Sequence, residues 1–375
     1  SFYKYLTKMK FLFALLSLTV SLCLAEKIRY DDYKVYRLIP NDVETLKILK
    51  QMEDTQHLSD YNFFSPVVKV GGPVDVMVPP HQVDYIENLA KSREMNSSVV
   101  MQNVQKHIDN EGVRPESRAG SFDWSSYHTY DEYNAYLTSL ETSYPNIVTL
   151  LRGGHTYEGR EILGVQVSFS SANQNNAVFL ESLIHPREWI SGAVTTYILN
   201  EILTSTDSEF RSFAESYDWY VFPVYNPDGF VYTHTNDRLW RKTRTPYTDS
   251  CFGVDANRNW GYYWNTGGTS DDPCSEVYGG PTAFSETSTK SLSEFISAIG
   301  SRLVAYIGFH SFAQLILIPY GYTADHLDNY DETYPIGLKA AESLASRYGT
   351  SYNVGNVAET IYVASGGSMD WVKGT

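Results

Sequence analysis

His185-Pro186-Arg187-Glu188-Trp189-Ile190-Ser191 follows directly on the apolar run Ala177-Val-Phe-Leu-Glu-Ser-Leu-Ile184. The stretch places an imidazole and a carboxylate three residues apart, just beyond a predicted strand. Such a pair supplies part of the ligand set of a catalytic zinc site, where zinc takes three protein ligands and leaves a fourth position for water. The sequence therefore predicts a zinc site that needs a third ligand from elsewhere in the chain.

His310 is the best candidate for that third ligand. It ends a second apolar run, residues 303–309, so two predicted strands each deliver ligands at their carboxyl ends. Open α/β sheets place their sites at that edge. We therefore expect His185, Glu188 and His310 to bind one Zn²⁺.

Composition limits the classes of function. The chain has 375 residues, 42% of them hydrophobic, which favours two domains or one large domain with an accessory region. A net charge of −15 and a pI near 5.0 argue against nucleic acid or an acidic membrane surface as the main partner.

Residues 9–25 have a lysine near their start, an apolar centre and small or apolar residues at their end, as a secretory signal does. The run is too short for a stable transmembrane insertion, and a buried N-terminal helix is the alternative. Residues 1–8 contain no methionine, so we interpret them as translated from upstream of the true start. The expected location is secreted and extracellular.

The cysteines support this location. Cys23 lies in the predicted signal, so the mature chain keeps Cys251 and Cys274. In an oxidising compartment they are expected to form one disulfide, and two unpaired buried thiols are the alternative.

Residues 26–118 are predicted to form a small separate unit, in which strand-like pieces alternate with amphipathic helices. The predicted strands are 34–39, 67–70 and 74–78, and the predicted helices are 42–53, 81–91 and 99–108. Residues 109–120 have linker composition, and a trypsin-like protease could cut there after Arg118. Arg114 precedes a proline and is the poorer site, and a linker that is never cut is the alternative. Asn96-Ser97-Ser98 is a glycosylation acceptor motif.

After residue 120, apolar β-rich runs alternate with helical patterns. Strands are predicted at 177–184, 219–225 and 303–309, and helices at 191–203 and 287–299. This alternation predicts a mostly parallel sheet that is covered by helices.

Six separated motifs carry a family resemblance: His185-Pro-Arg-Glu188, Pro223-Val-Tyr-Asn-Pro-Asp-Gly229, Arg238-Leu-Trp-Arg-Lys-Thr-Arg244, Gly253-Val-Asp-Ala-Asn-Arg-Asn-Trp260, His310-Ser311, and Ile361-Tyr362 with Gly366-Gly367-Ser368. Residues 120–375 resemble zinc metallocarboxypeptidases of the pancreatic carboxypeptidase A/B type, and residues 26–118 resemble their activation peptide. The resemblance implies a monomer with a mixed, mostly parallel central sheet flanked by helices, preceded by a small α+β ferredoxin-like activation domain. The expected domains are residues 26–118 and 119–375.

The resemblance also implies roles for residues around the zinc ligands, with the carboxyl ends of peptides or proteins as substrate. Asp255 would orient the imidazole of His185, although a helix or turn cap explains it equally well. Arg241 would stabilise the oxyanion that forms on the scissile carbonyl. The remaining substrate-binding residues would be Arg187, Asn257, Arg258, Ser311 and Tyr362, of which Arg258 with Asn257 would bind the terminal carboxylate.

Specificity is expected to depend on residues close to Gly366-Gly367-Ser368. An ungapped alignment places Met369 where the family sets the polarity of the pocket for the terminal residue. With Ile361 and Ala364, it predicts an A-type preference for apolar and aromatic terminal residues. Asp370 is adjacent, and a register shifted by one residue would instead predict a B-type preference for Lys or Arg.

The family's general base is a glutamate that we expect beyond Thr375. The leading hypothesis is a secreted zymogen that becomes an active zinc carboxypeptidase after a trypsin-like protease cleaves it. A non-catalytic paralogue that binds peptide carboxyl ends is the alternative. A structural α/β domain without a metal site is a third, remote hypothesis.

Overall fold

The structure is a computed structural model, and it describes residues 27–65, 67–111, 122–170 and 175–375. Residues 1–8, the predicted signal sequence and Arg118 lie outside the described residues. Within the described part of the chain, no helix is both long and apolar enough to cross a membrane.

The first unit is a four-stranded antiparallel sheet with helices. Its sheet has the strand order β2-β3-β1-β4. Its elements are β1 (Lys34–Ile39), α1 (Val43–Asp54), β2 (Asn62–Phe63), β3 (Val74–Val78), α2 (Val83–Ser92), β4 (Asn96–Met101) and α3 (Val104–Glu111). Leu38, Leu49, Val76 and Ile86 are fully buried between the sheet and the helices α1 and α2. This is the small α+β domain that the sequence predicts.

Two local predictions in this unit are wrong. Residues 67–70 form no strand, because the chain turns at Gly71, whose φ is +79°, and leaves Val68 and Val70 exposed. Residues 99–101 belong to β4 and not to a helix, since Val99 and Val100 favour a strand and the segment pairs with β1. The helix begins only at Val104, where Asn103 accepts a hydrogen bond from the N–H of Lys106 at 3.0 Å.

The second unit contains a five-stranded sheet of order β5-β6-β8-β7-β9 and a two-stranded parallel sheet, β10-β11. The strands are β5 (Val148–His155), β6 (Glu161–Val167), β7 (Ala177–Ser182), β8 (Asp218–Phe222), β9 (Leu303–Phe309), β10 (Leu315–Ile318) and β11 (Asn353–Asn356). In the large sheet β7 pairs in parallel with β8 and β9, whereas β5-β6 and β6-β8 are antiparallel. The mixed sheet agrees with the prediction, and its parallel part contains all three predicted strands.

The helices of the second unit pack around its two sheets. They are α4 (Tyr130–Ser143), α5 (Trp189–Thr204), α6 (Ser208–Glu215), α7 (Pro227–Thr235), α8 (Thr287–Ile299), α9 (Tyr330–Tyr348), α10 (Val357–Thr360) and α11 (Ser368–Gly374). Along β7, Val178 and Leu180 pack into one buried cluster while Ala177 and Phe179 pack into another. Alternate side chains of a strand point to opposite faces, so β7 is buried on both.

The register between β7 and β9 explains why the predicted zinc ligands meet at one edge of the large sheet. Ser182 on β7 pairs with Phe309 on β9, so the two parallel strands end side by side. The chain then leaves β7 toward His185 and Glu188, and leaves β9 directly at His310. The two predicted ligand segments therefore meet at the carboxyl ends of neighbouring strands.

Candidate metal centre and substrate groove

The three predicted ligands converge. One candidate ligand atom from each of His185, Glu188 and His310 lies within 4.8 Å of the other two. The two oxygens of Glu188 face different imidazoles, with Oε1 2.9 Å from Nδ1 of His185 and Oε2 3.0 Å from Nδ1 of His310. Glu188 sits at the N-cap of α5, so the turn after β7 presents both of its ligands to His310.

The donor set fits zinc. Two imidazole nitrogens and one carboxylate, within 4.8 Å of one another, are the ligand types of a three-residue catalytic zinc site. Burial alone would raise the pKa of Glu188, but the neighbouring imidazoles of His185 and His310 lower it well below its usual value. Burial opposes charge on His310, and Glu188 overrides this and raises the pKa of that imidazole. The cluster therefore holds an ionised carboxylate that favours a cation beside it.

Asp255 fixes the orientation of His185. Its Oδ1 lies 3.0 Å from Nε2 of His185, so the opposite ring nitrogen faces the ligand cluster. Asp255 also accepts a hydrogen bond from the N–H of Asn257 at 2.9 Å and one from Nη2 of Arg241 at 2.7 Å. The carboxylate is completely buried, and burial would raise its pKa, yet Arg241 and His185 hold that pKa well below its usual range. Asp255 thus caps a turn and supports the metal centre at once.

Arg241 and Arg258 both lie beside Asp255, with a guanidinium nitrogen 2.7 Å and 3.9 Å from its Oδ2. Arg258 donates through Nε to the carbonyl of Gly268 at 3.1 Å and through Nη1 to the carbonyl of Asn257 at 2.9 Å. Its Nη2 lies 3.4 Å from the hydroxyl of Tyr362. Arg241 is held by Asp255, which ties it to His185 through a single carboxylate. A buried guanidinium held by carbonyls keeps its orientation before a ligand arrives.

Two other predicted residues have different surroundings. Arg187 donates to the carbonyl of Leu239 at 3.2 Å and to Glu276 at 3.4 Å, and its burial lowers the pKa of the guanidinium. Ser311 approaches the centre through its backbone, because its N–H donates to Oε2 of Glu188 at 3.1 Å. Both residues border the ligand cluster.

The predicted specificity residues lie on both sides of Tyr362 in the sequence. Ala364 is buried, whereas Ile361 and Met369 are partly exposed. Asp370 is 1% exposed, and its carboxylate accepts hydrogen bonds from the backbone N–H groups of Gly321 and Tyr322. Met369 and Asp370 are therefore neighbours in sequence with different environments.

Cys251 and Cys274 form the predicted disulfide. The loop between them contains Asp255, Asn257 and Arg258. The disulfide therefore closes the segment from which three of the predicted site residues come.

Sequence reasoning assigned no role to two residues of this region. Arg238 donates through Nη1 to the carbonyl of Arg187 at 2.7 Å and through Nε to Glu111 of the first unit at 2.6 Å. Glu181 is completely buried on β7 behind the site. The only sequence signal for Glu181 is a single acidic residue within the apolar run 177–184.

A histidine-glutamate-histidine donor set at the carboxyl ends of parallel strands, with buried arginines beside it, defines a zinc-dependent hydrolase. Two family models match the chain: "Zinc carboxypeptidase" over residues 133–375 and "Carboxypeptidase activation peptide" over residues 36–111. The chain belongs to the zinc carboxypeptidase family and carries that family's activation peptide.

Relatives agree with this assignment. The chain is 44% identical to zinc carboxypeptidase A 1 of Anopheles gambiae, over 96% of this chain and 83% of that protein. It is 41% identical to carboxypeptidase B of Astacus astacus, over 67% of this chain and 83% of that protein. The crystal structure of carboxypeptidase A from Helicoverpa armigera superposes with a TM-score of 0.82 at 30% identity, over 92% of this chain and 86% of that one. The chain is similar both to a protein named carboxypeptidase A and to one named carboxypeptidase B, so these names do not decide its specificity.

Proposed function

We propose that this metallocarboxypeptidase is a secreted zymogen whose mature domain, residues 119–375, removes apolar and aromatic residues from the carboxyl ends of peptides. The burial of Asp370 is the observation that carries this A-type assignment. Both of its oxygens accept backbone N–H groups, so its charge is already used inside the protein. A basic terminal side chain would need a free carboxylate in the pocket, and Asp370 does not offer one.

The other side chains of the pocket suit an apolar terminal residue. Ile361, Ala364 and Met369 come from one segment and carry no charge. Contact with apolar side chains favours aromatic and branched ligands because it removes their surface from water. Met369 adapts to ligands of different shape, since its side chain is unbranched and flexible.

Binding of the free carboxyl end is assigned to Arg258, with Asn257 beside it. A guanidinium binds a carboxylate with two parallel hydrogen bonds, which an amidated peptide end cannot reproduce. The hydroxyl of Tyr362 already lies 3.4 Å from Arg258, so this tyrosine is placed to cover a bound carboxylate. These contacts would make the enzyme an exopeptidase.

His185, Glu188 and His310 would hold the zinc ion. When bound, zinc polarises a carbonyl and lowers the pKa of water to about 7. Arg241 would donate hydrogen bonds to the negative oxygen that develops on the scissile carbonyl, and Asp255 keeps Arg241 and His185 in place.

Activation is proposed to follow cleavage at Arg118 by a trypsin-like protease. Contacts of the first unit support this proposal, because Glu111 at the end of α3 binds Arg238 next to Arg187. The first unit also contacts the segment after His310, where Phe64 packs edge-on against Phe312 with ring centroids 6.4 Å apart. While it stays there, it would hinder peptides from reaching the zinc site.

The specificity proposal predicts the effect of Met369→Asp. A carboxylate placed in the pocket should shift preference from Phe-ending toward Lys-ending peptides, because it would pair with the ammonium group and would lose its hydration under an apolar side chain. The measurement is kcat/KM of the activated, zinc-loaded enzyme for a matched Phe/Lys peptide pair. Val363→Asp is the control, since Val363 is 43% exposed in the same segment.

An unchanged Phe/Lys ranking in Met369→Asp would contradict the pocket assignment.

Arg258→Ala tests the exopeptidase assignment separately. It should abolish discrimination between a free and an amidated peptide end, and retained discrimination would move the carboxylate site elsewhere. Peptide binding without hydrolysis by the wild-type protein would favour the non-catalytic alternative.

A further inference from the structure

Asp370 stands in the first turn of α11, immediately after the residue that is predicted to set specificity. Its Oδ1 and Oδ2 each lie 2.9 Å from the N–H nitrogen of Gly321, and Oδ2 lies 3.1 Å from that of Tyr322. Gly321 and Tyr322 follow β10, a strand that is distant in sequence. One buried carboxylate therefore joins the loop after β10 to the helix that carries Met369.

Gly321 is bound at the other end of the specificity segment as well. Its carbonyl accepts a hydrogen bond from the N–H of Ala364 at 2.7 Å. A Cβ atom at position 321 would lie 2.7 Å from the carbonyl oxygen of Ala364, so any larger residue would push the two segments apart. We call Gly321, Ala364 and Asp370 the Gly321 clasp.

The segment inside the clasp is fixed from its opposite side by the carboxylate-binding region. The N–H of Ser368 donates to Oδ1 of Asn257 at 2.9 Å, and the carbonyl of Gly366 accepts from the N–H of Trp260 at 3.0 Å. Residues 364–370 are thus held between the clasp and the segment that contains Asn257 and Arg258. Moving Gly321 would change the space beside Met369 while the zinc ligands, on other elements, stay in place.

We infer that Asp370 is a positioning residue that sets the shape of the terminal-residue pocket by holding Gly321 against Ala364. Asp370 acts through the backbone of Gly321 and does not touch the substrate. The inference deepens the proposed function and rests on it for the location of the pocket, but it does not depend on whether the preferred residue is apolar or basic.

The charge of Asp370 is consistent with this role. Burial raises the pKa of its carboxyl to about 6, while the N–H groups of Gly321 and Tyr322 oppose this rise. The group is therefore ionised at neutral pH, where its hydrogen bonds to the backbone are charge-assisted and stronger than neutral ones.

Asp370→Asn tests the inference. The amide keeps the size of the side chain but offers one acceptor oxygen, and its NH₂ group cannot accept from Gly321 or Tyr322. We expect the ratio of kcat/KM for Phe-ending over Ala-ending peptides to fall by about 10-fold, mostly through KM of the Phe-ending peptide. Zinc affinity should stay unchanged. Asp331→Asn is the matched control, because Asp331 is an exposed carboxylate in the first turn of α9.

A second variant and a second readout keep the test decisive. Gly321→Ala perturbs the clasp from its other side and should lower the same ratio. In wild-type protein the amides of Gly321 and Tyr322 should exchange slowly with solvent, and in Asp370→Asn they should exchange faster. An unchanged Phe/Ala ratio in folded Asp370→Asn, or slow exchange of both amides in that variant, would overturn the inference.

The test separates this inference from the proposed function. If the wild-type enzyme prefers Lys-ending peptides, the A-type proposal fails, and the clasp is then judged by the ratio of Lys-ending over Ala-ending peptides. If Asp370→Asn does not fold, Gly321→Ala and the wild-type exchange rates decide. Fast exchange of the Gly321 and Tyr322 amides in wild-type protein would then overturn the inference.

Discussion

At the scale of single residues, two buried carboxylates near the zinc site behave in opposite ways. Asp255 is surrounded by Arg241, His185 and a backbone N–H, and its pKa lies well below its usual range. Glu181 is equally buried. Its Oε1 accepts a hydrogen bond from the hydroxyl of Tyr306 at 3.2 Å. Within the described residues its Oε2 has no partner, and burial raises its pKa to about 7. Burial favours the neutral form unless charge compensates it.

Glu181→Gln should change how stability depends on pH. Because the folded pKa lies above the unfolded value of 4.5, Glu181 stabilises the fold below pH 4.5 and loses this contribution as pH rises through 7. Glutamine stays neutral, so the variant should gain stability relative to wild type over that interval, by up to about 3 kcal/mol. Urea unfolding of the zinc-free proteins between pH 4.5 and 8 measures the difference. A constant difference in the free energy of unfolding across this range would refute the ionisation of buried Glu181.

At the scale of elements, the site depends on loops that regular strands and helices hold. The segment before Asp255 turns back on itself, with the N–H of Gly253 donating to the carbonyl of Thr245 at 2.7 Å. Gly253 has φ of +73°, and a Cβ there would lie 1.9 Å from the carbonyl oxygen of Thr243. The turn can close only with glycine at this position, and Asp255 follows two residues later.

Gly253→Ala should therefore destabilise the fold and weaken zinc binding together, because shifting the turn moves Asp255 away from His185. Gly349→Ala is the control: Gly349 ends α9 with the same φ of +73°, but nothing lies within 4 Å of its Cβ position. The control substitution should lower the free energy of unfolding by about 1 kcal/mol, because only the left-handed backbone is strained there. We expect Gly253→Ala to lower the free energy of unfolding by several-fold more, as measured by urea unfolding. It should also raise the zinc dissociation constant, as measured by competition with a chelator. Equal losses of stability in Gly253→Ala and Gly349→Ala would show that the turn before Asp255 can adjust to a side chain at position 253.

Elements with strong local signals are the ones that the sequence predicts well. Strand 303–309 and helix 287–299 have the predicted bounds, since an apolar run and a periodic apolar face mark them. No element was predicted between residues 121 and 176, where α4, β5 and β6 lie. A usable signal was present at α4, because Thr129 and Glu132 form a capping box. The antiparallel pairing of β5 with β6 involves contacts that no single segment encodes.

At the scale of the whole molecule, the first unit is attached to the second by contacts at the rim of the site. Beside the Arg238–Glu111 pair, the hydroxyl of Tyr30 donates to Oδ1 of Asp237 at 2.6 Å. Leu239 packs into the apolar cluster formed by Tyr30, Val35, Met77 and Val104. The side chain of Arg238 is 8% exposed and that of Glu111 is 32% exposed, so the guanidinium is the buried partner of this ion pair.

Glu111→Gln should loosen the attachment of the first unit in the uncleaved chain. Glutamine keeps one acceptor oxygen but removes the negative charge beside the guanidinium of Arg238, and losing this charge-assisted contact costs about 1.5–3 kcal/mol. We expect a soluble chelator to remove zinc at least about 10-fold faster from the variant. Asp31→Asn is the control, because Asp31 pairs with Arg29 on the exposed surface of the same unit. Equal chelation rates in wild type and Glu111→Gln would mean that the pair does not restrain access.

The sequence by itself determined the zinc ligands, the family resemblance, the disulfide and the strands that carry the site. These features depend on side-chain type at fixed spacing and on apolar periodicity, which are local properties of a chain. Only the tertiary structure decided the surroundings of each charge: Asp255 bridging His185 and Arg241, Asp370 bound to the loop after β10, Glu181 accepting from Tyr306, and Glu111 on Arg238. The energy of a buried charge depends on which distant segments donate to it, and those partners are set by folding.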